Sequence, residues 1–488
     1  MTTRNREQAG WRALGQVIAS LMVAQWLLPL AGCASFVGQG RVRSPIPSLE
    51  HELPEAQRHP VIVIPGILGT RLVDQGSDEI VWGRYDRIHI FKTRVRNPSG
   101  LALPMAQGRN LNDLRDQVRA DGTLAYLQIK VLGVPFELQA YQGILASLAV
   151  GGYRDPRSPM HSESPYGDDH FSCFQFDYDW RRDVSENAEL LDRFIHKKRQ
   201  VLRAEYRRRY GKERPALQFD IVAHSLGGLL ARYYLRYGNQ RIERGQAPEL
   251  NWAGARNVRK AILVGTPNSG STFAVEDLVN GHQLSRFFPY YPPAVLGTMP
   301  SVYQLLPRPQ DNHVVDATTG ESLDLFDVRT WLDRDWGLAS RAGASDLKEV
   351  LPSIASQEGR YAVAVDHLQK CLAQAKAFHQ SLDFPAAPPA GTSLHLMVGS
   401  SVKTPSVLEA DAGTNRIRLR SKEQGDNTTT VISAIGPLKC EKPAISWTSI
   451  DEVSAEHRKL TSDPEFTTRM LELLLDSRRT ASPKGHLP

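Results

Sequence analysis

A mostly parallel α/β sheet is what this sequence of 488 residues predicts. Short, mostly apolar runs recur along it: Val61 to Ile64, Cys173 to Phe176, Phe219 to Val222, Ala261 to Val264 and Leu394 to Val398. Such runs are typical of strands buried on both faces of a sheet covered by helices. Helix-patterned segments separate several of them, and this alternation is the pattern of a parallel sheet. One junction is abrupt. The run from Phe219 passes through Ala223 and His224 to Ser225, and the helix-forming stretch Leu229 to Arg236 follows at once, closed by Gly238.

That junction organises the rest. Ala223-His224-Ser225-Leu226-Gly227 follows the pattern G-x-S-x-G, with alanine in place of the first glycine. Between strand and helix the pattern is the nucleophile elbow of α/β-hydrolases, a sharp turn that leaves the serine exposed and needs small neighbours. The competing reading is an ordinary strand-to-helix turn with a capping serine.

The chain is long enough for one large domain with insertions or for two or three smaller ones. With 41% hydrophobic and 23% charged residues it is neither collagen-like nor disordered. The formal charge of +6 suits a solvated basic surface or an anionic membrane and makes no case for nucleic acid. Arg4, Arg6 and Arg12 precede an apolar run from Val17 to Leu30, which ends in Leu30-Ala31-Gly32-Cys33. This is a secretory signal, too short for a comfortable span. Its ending resembles a bacterial lipobox, with Cys33 the lipidated residue. Ala34 and Ser35, rather than aspartate, imply export to the outer membrane. Residues 34–58 read as a tether.

Pro65-Gly66-Ile67-Leu68-Gly69 closes the first strand in a glycine turn, the place where an α/β-hydrolase finds an oxyanion-hole N–H. Leu138 to Val150 predicts a helix stopped by Gly151-Gly152. Asp183-x-x-Glu186 predicts a capping box ahead of a long amphipathic helix carrying Leu191, Phe194, Ile195 and Leu202. From about Phe273 to Pro389 the strand series lapses, which predicts an inserted cap over residues 273–390. Its aromatics (Phe287, Phe288, Tyr290, Tyr291, Trp331, Trp336) form either cap core or a lipid-facing surface. The core then occupies 59–272 and 391–476, with a loose tail at 477–488. Of the remaining cysteines, Cys371 with Cys440 is the expected bridge, Cys173 a buried thiol, and no spacing suggests a metal.

A serine hydroxyl needs a base within reach and an acid to orient that base. In α/β-hydrolases the chain order is Ser, Asp or Glu, then His. Gln424-Gly425-Asp426-Asn427 is a polar turn suited to the acid, and Glu456-His457 precedes a final helix over about Asp463 to Leu475. Rivals are Asp411 and Asp451 for the acid. His395, inside an apparent strand, reads as structural.

Taken together, these segments resemble the lecithin:cholesterol acyltransferase family. Val61 through Leu72 is similar to its opening strand and oxyanion turn, and Tyr178-Asp179-Trp180-Arg181 to its Y-D-W-R. Ala223 through Gly228 is similar to its G-H-S-L-G-G, and Gly265 through Ser271 to its post-elbow turn. Gly425-Asp426-Asn427-Thr428 is similar to G-D-G-T, and Glu456-His457 to the family's E-H or Q-H. Ala223 departs from the pattern, as does Thr429-Thr430 where Val-Pro is common. Neither removes a reacting group.

The resemblance implies Ser225 as nucleophile, His457 as base and Asp426 as its orienting acid, with the backbone N–H groups of Ile67 and Leu226 as the oxyanion hole. It implies a lipid acyl ester as substrate, hydrolysis or transfer to an alcohol, and no metal or organic cofactor. An esterase of small soluble esters and a non-catalytic envelope lipoprotein are the alternatives left open. Acyl donor, acceptor and oligomeric state are not legible.

Overall fold

The computed structural model describes residues 58–88, 98–124, 126–131, 134–139, 141–157, 170–212, 217–283, 289–411, 416–437 and 443–475. Cys33, the tether up to residue 57, Phe287, Phe288 and the tail lie outside them. In chain order the strands are β1 (Val61–Ile64), β2 (Thr70–Asp74), β3 (Ile80–Trp82), β4 (Arg84–Ile88), β5 (Val118–Thr123), β6 (Tyr126–Val131), β7 (Val134–Gln139) and β8 (Cys173–Gln175). There follow β9 (Phe219–His224), β10 (Val258–Val264), β11 (Val314–Asp316), β12 (Ser393–Gly399), β13 (Val402–Asp411), β14 (Arg416–Gly425) and β15 (Ser449–Val453). Six of them form one sheet in the order β15-β12-β10-β9-β1-β8, and every pairing is parallel. This is the α/β-hydrolase architecture expected.

The apolar runs are continuous because this sheet has a core on each face. Ile62, Ile64, Ile221, Ala223, Ala261 and Leu263 belong to one cluster; Val61, Val63, Val222, Ile262 and Val264 belong to the other. Successive residues alternate between clusters, the period of two that a strand imposes. The helix Val184–Tyr210 covers the first face with Leu191, Ile195 and Leu202, while Gln142–Val150 and Pro464–Leu475 cover the second. The elbow helix Leu226–Tyr237 is buried along its whole length. Gly228 makes this seating possible: a Cβ there would stand 1.8 Å from Thr266 Oγ1.

Several local expectations need correction. Leu138 belongs to β7, paired with Leu127 of β6, so the next helix begins only at Gln142. Asp183 caps its helix, accepting from the N–H groups of Ser185 and Glu186, but Glu186 is drawn away by Arg182 and Arg115. The box is therefore half made. Two further three-stranded sheets, β3-β2-β5 and β4-β6-β7, lie between β1 and β8. Among the described residues of 273–390 the only strand is β11, which pairs with β13; the other regular elements there are helices joined by loops. There Trp331 and Trp336 are buried edge to face, and Tyr291 is buried, while Tyr290 is exposed. Cys371 is a free buried thiol, so the expected bridge is not formed; Cys440 lies outside the described residues. Cys173 is also free and buried.

Four buried histidines give the fold a pH dependence. Burial holds His224 and His379 well below the ordinary imidazole value, and His367 and His395 near about 4. The unfolded chain binds these protons near pH 6.5, so it carries more protons than the native one below that value. Stability is therefore whole above pH 6.5 and falls as pH drops toward 4. At pH 5, His367 and His395 should each contribute about 2 kcal/mol less than at neutrality. Urea melts at pH 7.5 and pH 5 should show the midpoint dropping, and an unchanged midpoint would contradict it.

Candidate functional site

The loops that leave the C-terminal edge of the parallel strands converge on one cavity. Ser225 follows β9 directly, with φ 54° and ψ −124°. For a side chain other than glycine this backbone is strained by about 1–3 kcal/mol, and such strain collects at functional sites. Neighbouring strands hold it in place: Ser225 N–H donates to Val264 O of β10 at 2.8 Å. Ala223, the departure from glycine, is fully buried and pairs in register with Ile64 and Leu263.

The turn after β1 packs against this elbow. A Cβ on Gly66 would stand 2.7 Å from the Cβ of Ser225, and one on Gly227 would stand 2.5 Å from Pro65 O. Four side chains pin the turn: Tyr178 Oη donates to Pro65 O (2.8 Å), Trp82 Nε1 to Leu68 O (2.8 Å) and Trp180 Nε1 to Thr70 O (3.2 Å). The fourth, Tyr141 Oη, accepts from Gly66 N–H at 2.7 Å. Ile67 lines the cavity, and Leu226 opens the elbow helix. Among the described residues neither of their N–H groups has a protein acceptor. Arg181, fully buried, binds Asp179 through two nitrogens (2.9 and 2.7 Å) and Asp116 at 2.8 Å, which makes it a structural clamp beside the site.

Asp426 follows β14, an edge strand of the side sheet β11-β13-β14. It is completely buried. Its Oδ1 accepts from the N–H groups of Thr428 (2.9 Å) and Thr429 (2.7 Å), and its Oδ2 faces His457 Nδ1 at 2.7 Å. A second bond joins the same two residues through the main chain, His457 N–H to Asp426 O at 2.7 Å. With Oδ2 acceptor-only, the proton of the neutral imidazole stands on Nδ1 and Nε2 is left as the acceptor. Gly265 and Gly399 leave room for the pair: a Cβ on Gly265 would stand 3.1 Å from both Asp426 Oδ2 and His457 Nδ1, and one on Gly399 would stand 2.6 Å from Asp426 Cβ.

Ser225, Asp426 and His457 line the same cavity of about 570 Å³, together with Ile67, Trp82, Leu124, Met299, Val302 and Leu305. Its volume and apolar walls are those of a small-molecule site with a few polar groups at one place. Ser225 Oγ makes no hydrogen bond among the described residues; contacts of this sort commonly close only when substrate is bound. The rivals are occupied elsewhere. Asp411 faces Arg418, Asp451 binds Arg469 at 2.7 Å, and His395 lies between Ser449 Oγ and Ser393 Oγ. The sequence reading missed Tyr141 altogether and gave no role to His224, although the serine motif contains it.

Residues 168–324 match the model of the family described as lecithin:cholesterol acyltransferase. A chain of the solved Tle4–Tli4 complex has the same fold, with TM-score 0.53 and 14% identity over 86% of this chain and 98% of that one. A Bacillus licheniformis lipase, BlEst2 in its propeptide form, aligns with TM-score 0.29 and 12% identity over 64% of this chain and 46% of its own. No curated protein matches the sequence.

Proposed function

We propose, from the α/β-hydrolase fold and the match of residues 168–324 to the lecithin:cholesterol acyltransferase family model, that the chain cleaves lipid acyl esters through an acyl-enzyme on Ser225. The observation that carries this reading is the cavity itself. It has a strained serine and an aspartate-bound imidazole at one place, and apolar walls elsewhere.

In the first half-reaction His457 Nε2 takes the hydroxyl proton as Ser225 Oγ attacks the ester carbonyl. The carbonyl oxygen becomes an oxyanion held by the N–H groups of Ile67 and Leu226. Asp426 stabilises the imidazolium without taking its proton. Collapse expels the alcohol, which receives the proton from His457. Water or a second alcohol then attacks the acyl-enzyme, with His457 as base, and restores the serine. The acceptor alone separates hydrolysis from transfer.

Incubation with mixed bacterial phospholipids plus a long-chain alcohol, followed by mass spectrometry, tests this. Free fatty acid marks hydrolysis and a new ester marks transfer. Turnover of short-chain esters alone, with phospholipid vesicles untouched, would favour the small-ester reading. No turnover of either, with no labelling by a fluorophosphonate in detergent, would favour a binding protein.

A further inference from the structure

One of the four side chains holding the oxyanion turn, Tyr141, reaches beyond it to His224. Tyr141 Oη stands 3.0 Å from His224 Nδ1, and His224 Nε2 stands 3.2 Å from the carbonyl oxygen of His457. All three hydrogen bonds, counting Gly66 N–H to Tyr141 Oη, are buried. The rings touch as well, with centroids 5.6 Å apart for Tyr141–His224 and 4.6 Å for His224–His457.

The direction of this chain is fixed by its last member, the His457 carbonyl, which can only accept, so that neutral His224 carries its proton on Nε2 and accepts on Nδ1. Tyr141 Oη therefore donates its hydroxyl hydrogen to His224 Nδ1 while accepting from Gly66 N–H, which can only donate. Burial favours neutral His224 as well, by disfavouring the charged ring.

We propose that Tyr141 and His224 are positioning residues that tie the oxyanion turn to the main chain of the catalytic base. One end of the chain is fixed one residue before Ile67 and the other on His457 itself. The two sit on separate loops after β1 and β15, and no backbone hydrogen bond among the described residues joins them. Holding catalytic groups within a fraction of an ångström is worth large factors in rate. The inference rests on the serine mechanism proposed above.

The links can be cut singly. Tyr141→Phe keeps the ring and removes the hydroxyl. His224→Gln keeps an amide donor near Nε2 but loses the acceptor for Tyr141. His224→Asn keeps an acceptor near Nδ1 but loses the donor to His457. Each should lower kcat about 10- to 100-fold with KM nearly unchanged, in protein whose circular dichroism matches wild type. Tyr141→Phe with His224→Gln removes one bond twice, so the double variant should fall no further than the worse single one. Wild-type kcat in Tyr141→Phe, or losses that multiply in the double variant, would overturn the inference. An inactive Ser225→Ala beside a fully active Tyr141→Phe would overturn it alone and leave the serine mechanism standing.

Discussion

Ser225→Ala should lower ester turnover about a million-fold, the scale of losing a serine nucleophile whose base is intact. It should also abolish covalent labelling by a fluorophosphonate, which wild type undergoes. The variant isolates chemistry from folding. Alanine keeps the Cβ that packs beside Gly66, and the 2.8 Å bond from residue 225 N–H to Val264 O is main-chain. Its melting temperature should therefore stay close to that of wild type. Persistent labelling at another residue, or turnover within a few fold of wild type, would remove Ser225 from the mechanism.

Asp426→Asn should cost about ten thousand-fold in kcat, or about 5.5 kcal/mol of barrier. The size follows from the hydrogen bonds. Two main-chain N–H groups, from Thr428 and Thr429, fix Oδ1 as an acceptor, so the asparagine amide must turn its NH₂ toward His457. A donor facing Nδ1 forces the imidazole proton onto Nε2. That nitrogen can then no longer take the serine proton. Geometry survives and the tautomer is wrong. A loss below tenfold would move the acid role to Asp411 or Asp451, each of which an arginine already faces.

Much of the frame was legible because parallel strands buried on both faces have no polar side to conceal them. Val61 to Ile64 is unmistakable for that reason, and the elbow at Ser225 is local in sequence. Asp426 and His457 were legible only through chain order and motif, since nothing in either short stretch dictates that they meet. Residues 70–139 were not read as sheet at all. Their strands are short and pair with partners set by tertiary context, as with Leu72, opposite both Trp82 and Ala120. β11 is three residues long and is a strand only because β13, almost a hundred residues later, lies beside it. Tyr141 carries no local signal, because its role depends on a hydroxyl meeting Gly66 and His224 across the fold.

The two hydrogen bonds between Asp426 and His457, one through side chains and one through main chains, make carboxylate and imidazole a single mechanical part. Adjustment on substrate entry therefore falls between that part and the serine, not inside it. Under the proposed mechanism, ligands that wedge the serine away would silence turnover while the base stayed correctly tuned, and their withdrawal would restore activity without any proton having to be rearranged.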